Sequence, residues 1–227
     1  MSPKRFSLRR VVAAGVLALA ALPAPAEIQP ERITSAKLPP QGRHWVWLSD
    51  IMFFNMIDGK SFLIDADAGK VLGMISGGNF HDSLGLPGHG KEFYTTDTFY
   101  SRGSRGERTD VVTIYDSRTL DVTGEVVIPP KQLLSVPTGV ATTAMSDDDR
   151  FLYVYNFTPA QSLSIVNVAE RRFVGEVETA GCAMTYPAGP RKLHMICADA
   201  SFLTLQLDDA GEVVSRTRSK PMFNPKQ

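Results

Sequence analysis

An all-β fold built from repeated four-stranded sheets, a β-propeller, is predicted by three features of the sequence. Small residues recur at Gly73, Gly124, Gly175 and Ser215, at spacings of 51, 51 and 40. Each lies in the second half of a strand, polar turn, strand unit. "VVTIYDSRTLDVTGEV" (111–126) and "SLSIVNVAERRFVGEV" (162–177) are nearly the same unit written twice. Beyond residue 26 no segment sustains a 3.6-residue apolar period. Copies at 40–50 residues with about four strands each mark a propeller, because one sheet cannot bury both its faces until neighbouring sheets stack against it. A β-sandwich would not require copies at a fixed long period.

Taken in chain order, residues 1–26 read as a secretory signal peptide. Lys4, Arg5, Arg9 and Arg10 form a positive start, Val11 to Ala21 is apolar, and Ala24-Pro25-Ala26 offers a cleavage point. The apolar run is short for a membrane span, so no anchor is expected after processing. Export then leads to the periplasm, and residues 27–227 form the propeller domain.

Each repeating hairpin follows another β-like run: "HWVWLSD" (44–50), "KEFYTTDTFY" (91–100), "RFLYVYNF" (150–157) and "KLHMICAD" (192–199). In the third, Phe151, Tyr153, Tyr155 and Phe157 alternate onto one face. "LSIVNV" is apolar almost throughout, as suits a strand covered on both sides. "GLPGHG" (85–90), "SVPTGVATT" (135–143) and "TYPAG" (185–189) could each add an inner strand. Near the end of the first hairpin strand stand Asp65, Asp116 and Asn167. The fourth copy has Leu207 there, followed by Asp208.

The chain carries 24 basic and 24 acidic residues, so nothing in the charge balance points to nucleic acid. Two cysteines in an exported protein read first as a disulfide, the alternative being two buried thiols. His81 and His89 with Asp82 match no metal-ligand spacing and read as structural or exposed. Asp147, Asp148 and Asp149 read as a solvated turn. Arg102, Arg105 and Arg108 occupy a Gly-spaced loop that leads into a strand, not a helix, which disfavours a phosphate cradle. No G-x-S-x-G motif is present, and no Ser-His-Asp set emerges from spacing alone. Trp45 and Trp47 share one side of a β-run and read as packing residues.

"RFLYVYNFTPAQSLSIVNVAERRFVGEVETAG" (150–181) resembles the Tyr-Val-Thr-Asn type of bacterial propeller repeat. "FYSRGSRGERTDVVTIYD" (99–116) and "GCAMTYPAGPRKLHMICADASFLTLQLDDAGEVVSRTRSKPMF" (181–223) are similar to the heavy subunit of the tryptophan tryptophylquinone amine dehydrogenases. "SRTRSKPMF" looks closer to the aromatic amine type than to the methylamine type. That resemblance implies a seven-bladed periplasmic propeller that scaffolds a small disulfide-rich light subunit. The light subunit carries the tryptophan tryptophylquinone and the catalytic base, so no catalytic residue, metal or cofactor is expected in this chain. The complex would oxidise primary amines to aldehyde and ammonia and pass electrons to a small blue copper protein, azurin- or amicyanin-like. The resemblance further implies a Cys182–Cys197 disulfide, a subunit-interface role for Arg102, Arg105 and Arg108, and a substrate-channel role for Phe53. A stand-alone periplasmic propeller that binds a ligand or protein is the alternative function. About four blades are expected here, as an open arc from the N-terminal portion of a longer subunit. Its last blade is expected to expose an apolar face; a closed four-bladed ring is the alternative.

Overall fold

The computed structural model describes residues 36–50, 59–79, 81, 84–129, 141–157 and 159–224. The signal segment and the stretch holding Phe53 lie outside these described residues. Among the described residues fifteen strands form four antiparallel sheets, each an up-and-down meander. The first sheet has three strands, β1 (Trp45–Asp50), β2 (Lys60–Asp65) and β3 (Lys70–Ser76). The second has β4 (Leu84–Gly85), β5 (Glu92–Tyr100), β6 (Arg108–Asp116) and β7 (Val122–Ile128). The third has β8 (Thr143–Met145), β9 (Phe151–Asn156), β10 (Ser162–Asn167) and β11 (Arg172–Glu178). The fourth has β12 (Cys182–Pro187), β13 (Lys192–Cys197), β14 (Phe202–Leu207) and β15 (Val213–Arg218). Short inner strands thus stand in or beside the Gly- and Pro-rich linkers, as expected, in three of the four sheets. The architecture is that of a partial β-propeller.

The repeated residues have a mechanical explanation. The Asp65 carboxylate accepts the backbone N–H groups of Asp67 and Ala68, at 3.0 and 2.9 Å. Asp116 does the same for Arg118 and Thr119, Asn167 for Glu170, and Asp208 for Ala210 and Glu212. The side chain closes the turn that the backbone alone would leave unsatisfied. A bulge follows in every copy, so that Leu63 faces Gly73, Ile114 faces Gly124, Ile165 faces Gly175 and Gln206 faces Ser215. In the first two copies the glycine makes room for the turn of the next sheet. A Cβ on Gly73 would strike Leu120, and one on Gly124 would lie 2.7 Å from the Arg171 guanidinium. Arg171 also donates to Glu92 at 2.7 Å and to the Thr123 carbonyl at 2.9 Å, which ties the third sheet to the second. Gly175 has no such neighbour, and Ser215 fills the equivalent place in the fourth sheet.

Apolar clusters lie between successive sheets. Trp47, Ile75, Phe93 and Tyr115 join the first sheet to the second. Val112, Ile114, Leu152 and Val166 join the second to the third, and Tyr153, Leu163, Leu193, Met195 and Leu205 join the third to the fourth. β9 is buried along its whole length, not on one face alone. Phe151, Tyr153 and Tyr155 meet the fourth sheet while Leu152 and Val154 meet the second. Phe157 falls beyond the strand and is exposed.

The outer faces of the end sheets differ from expectation. The fourth sheet turns Lys192, His194, Ile196, Phe202, Thr204 and Gln206 outward, a largely polar set. There the His194 Nδ1 bonds the Thr204 hydroxyl at 2.8 Å, and the Gln206 amide donates to the carbonyls of Pro190 and Arg191. The apolar free face belongs to the first sheet, where Val46, Leu48, Val71 and Met74 are 48, 58, 64 and 47% exposed around Phe62 and Ile64. Leu48→Lys should therefore reduce self-association while changing folding stability by no more than about 0.5 kcal/mol. Light scattering against concentration, paired with urea unfolding, checks both parts.

Candidate functional site

Up-and-down sheets place alternate connections at opposite ends. At one end, here the connection end, lie the β5–β6 hairpin, the β9–β10 and β13–β14 turns and the links between sheets. Two links meet the neighbouring strands there directly: Asn79 N donates to Thr98 O at 2.7 Å, and Gly181 O accepts from Ala198 N at 2.8 Å. The opposite end carries the Asx turns. There Asp149 accepts the backbone N–H groups of Gly88 and His89, both at 2.9 Å, so part of the acidic turn is an inter-sheet staple. Asp50 and Gly59 also lie at the connection end.

The arginine loop is the β5–β6 hairpin. Tyr100 pairs with Arg108, and Ser101 N donates to Glu107 O at 2.9 Å. Gly103 and Gly106 take φ of 74° and 100°. At Gly106 a Cβ would also strike the Ser101 hydroxyl, so both backbone and space require glycine. Arg102 and Arg105 are exposed at the tip. Arg108 is not: its fork grips Asp110 with both bonds at 2.8 Å, and the Asp110 carboxylate, fully buried, also accepts from the Thr98 hydroxyl at 2.9 Å. Arg108 therefore braces the hairpin base, and Arg102 and Arg105 are the guanidinium groups it presents outward.

Behind the hairpin runs a buried polar chain that linear spacing did not reveal. Asp97 accepts four donors: Gly78 N and His81 Nδ1 at 2.9 Å on Oδ1, and the hydroxyls of Thr95 and Thr113 at 2.6 and 2.8 Å on Oδ2. Burial alone would raise this carboxyl. The bonds from His81, Thr95 and Thr113 outweigh it and hold it below the usual carboxylate range. His81 Nε2 lies 2.8 Å from the Ser61 hydroxyl, which lies 2.7 Å from that of Ser49. The order Ser61–His81–Asp97 has the connectivity of a hydrolase triad. Ser61 and Asp97 are both 0% exposed and His81 is 4% exposed, so no substrate reaches it and its role is structural. One clue stands in the sequence: after Lys91 and Glu92 at its start, Asp97 is the one charge in the interior of the β-run "KEFYTTDTFY".

Cys182 and Cys197 are joined in a disulfide across directly paired positions of β12 and β13, within the cluster shared by the third and fourth sheets. His89 is exposed, and Asp82 lies outside the described residues. Among the described residues no group of three or more His, Cys, Asp or Glu side chains is placed to hold a metal. A groove of about 920 Å³ opens at the turn end, lined by Pro39, Trp45, Trp47, Leu84, Phe93 and Arg118 among others. It lies away from the arginine hairpin. Trp47 packs on Phe93 with ring centres 5.0 Å apart, so this tryptophan serves inter-sheet packing.

The sheets and their order define a class, the β-propellers. The propeller of Dos1 superposes with a TM-score of 0.53 at 12% identity, over 79% of this chain and 45% of that one. The WD40 repeats of RRP9 give 0.50 at 12% identity, over 82% and 56%. These likenesses concern fold alone. The sequence profile of the methylamine dehydrogenase heavy chain matches residues 43–226, and the chain belongs to that family. The methylamine dehydrogenase heavy chain of Paracoccus versutus is 28% identical over 172 residues, 76% of this chain and 40% of that protein. That of Methylorubrum extorquens is 27% identical over 188 residues, 83% of this chain and 45% of that protein. The chain thus spans less than half the length of these relatives.

Proposed function

We propose that this chain acts as scaffold in a periplasmic quinoprotein amine dehydrogenase, docking a light subunit that carries tryptophan tryptophylquinone. The family match across residues 43–226 carries the reading. The quinone supplies the oxidation of a primary amine to aldehyde, with ammonia released and electrons passed to a small blue copper protein. The part assigned to this chain is to hold the light subunit and to wall the substrate channel, with Phe53 as the channel residue. Docking is assigned to the connection end, where Arg102 and Arg105 project unburied and Arg108 stiffens their base. Guanidinium groups at such a rim pair with carboxylates and speed encounter more than they add affinity.

Co-expression with a quinone-bearing light subunit of the family tests this. The expected result is a complex that co-elutes with the quinone absorbance. Arg102→Glu combined with Arg105→Glu should weaken it roughly tenfold, with a shallower salt dependence. Failure of the wild-type chain to retain any light subunit would favour the stand-alone propeller instead.

A further inference from the structure

We infer that His81 is a positioning residue, a buried clasp that fixes the surface at the connection end on which the arginine hairpin stands. This rests on the docking reading for what the surface is for, and on hydrogen bonds alone for how it is held. Three backbone stretches meet around the imidazole. Gly59 N donates to Gly78 O at 3.3 Å and Gly77 N to Gly59 O at 2.8 Å, which joins the start of β2 to the link between the first two sheets. Asn79 then exchanges both backbone bonds with Thr98, at 2.7 and 2.9 Å, which joins that link to β5. Thr98 in turn reaches Asp110 and, through it, the Arg108 fork at the hairpin base.

His81 sits where these stretches converge. An ionised Asp97 can only accept, so the imidazole proton at Nδ1 is fixed, and Nε2 is left to meet Ser61 on β2. One ring thereby spans the link, β5 and β2. Gly59 and Gly77 lie flat against it, for a Cβ on either would collide with His81. The side chain is as much a packing wedge between two sheets as a hydrogen-bonding one. Removing it leaves both a hole and an unmatched Asp97 Oδ1 lone pair, and the link loses the group that sets its height above the hairpin.

The test compares His81→Ala, His81→Gln and Ser61→Ala in the intact chain by amide hydrogen exchange. His81→Ala should cost the amides of Gly77, Gly78 and Asn79 at least about tenfold in protection, while β13 and β14 keep theirs. His81→Gln, which still offers Asp97 a donor, should restore part of it; Ser61→Ala, which leaves the Asp97 bond intact, should change little. Unaltered protection at 77–79 would overturn the assignment. So would an equal loss in every sheet, which would make His81 a general core residue. If the Ala variant does not fold, the Gln variant carries the same comparison: a local loss supports the clasp and a uniform one refutes it. Binding of the quinone-bearing light subunit is measured beside this. A wild-type chain that binds none sinks the docking reading, while the exchange pattern still judges the clasp.

Discussion

Asp97→Asn is expected to destabilise the fold by about 1–3 kcal/mol at neutral pH. Four donors point at this carboxylate and none can turn to water. An amide keeps an acceptor for Gly78 N and His81 Nδ1 only if its N–H groups face Thr95 and Thr113, whose hydroxyls must then turn round to accept, and the charge that strengthens all four bonds is gone. Against a typical total of 5–15 kcal/mol, that is a large share. The pH dependence follows from the direction of the shift. The folded carboxyl titrates below its unfolded value. Its contribution is therefore fully present above about pH 4 to 5 and is lost as pH falls through the folded value. Urea unfolding at pH 7 and at pH 3 should show wild type and variant converging in acid. A gap that stays constant across that range would mean that the Asp97 charge is not what stabilises the link.

Loss of the disulfide is the second large effect. Cys182 and Cys197 close a loop of 15 residues, for which chain entropy gives about 3 kcal/mol. Both are buried, at 1 and 3% exposed, between Tyr153, Leu163, Met195 and Leu203 in the third and fourth sheets. A paired Cys182→Ser and Cys197→Ser change also places two hydroxyls in an apolar cluster. Cys182→Ala with Cys197→Ala avoids this and isolates the crosslink. The alanine pair should lower the melting temperature by roughly 6–12 °C, and the serine pair by more. Calorimetry of both, with reduced wild type as reference, checks the ordering. A melting temperature unchanged in the alanine pair would show that the inter-sheet cluster alone holds the fourth sheet.

What the sequence made legible was whatever repeats. Asp65, Asp116, Asn167 and Asp208 stand out by spacing because each closes the same turn with the same short bonds. The glycine register stands out because the small residue beside the bulge leaves room for the next sheet's turn, as Gly73 does for Leu120 and Gly124 for Arg171. The burial of β10 was legible from "LSIVNV", since a strand apolar on both faces has nowhere else to go. In β9 alternation rightly put Phe151, Tyr153 and Tyr155 on one face, and Leu152 and Val154 are buried as well because a sheet covers each side. The His81–Asp97 pair was hidden for a different reason. The residues are 16 apart, on a link and a strand whose meeting depends on how two sheets stack. Arg108 was grouped with Arg102 and Arg105 by spacing, yet period-two geometry turns it toward Asp110 on its own strand. The polar outer face of the fourth sheet was missed because the apolar end of the array was expected last, and it lies on the first sheet. Phe53 falls outside the described residues, and its role stays a proposal.

The proposed docking puts the light subunit at the connection end, not the turn end. A hydroxyl-radical footprint of the complex with a quinone-bearing light subunit tests this most directly. Phe99 and Phe157 are 39 and 44% exposed at the connection end and should lose reactivity on binding. His89, Leu86 and Trp45 at the turn end should keep theirs. Protection of Leu86 and His89 with Phe99 and Phe157 unchanged would place the partner on the opposite end and contradict the account.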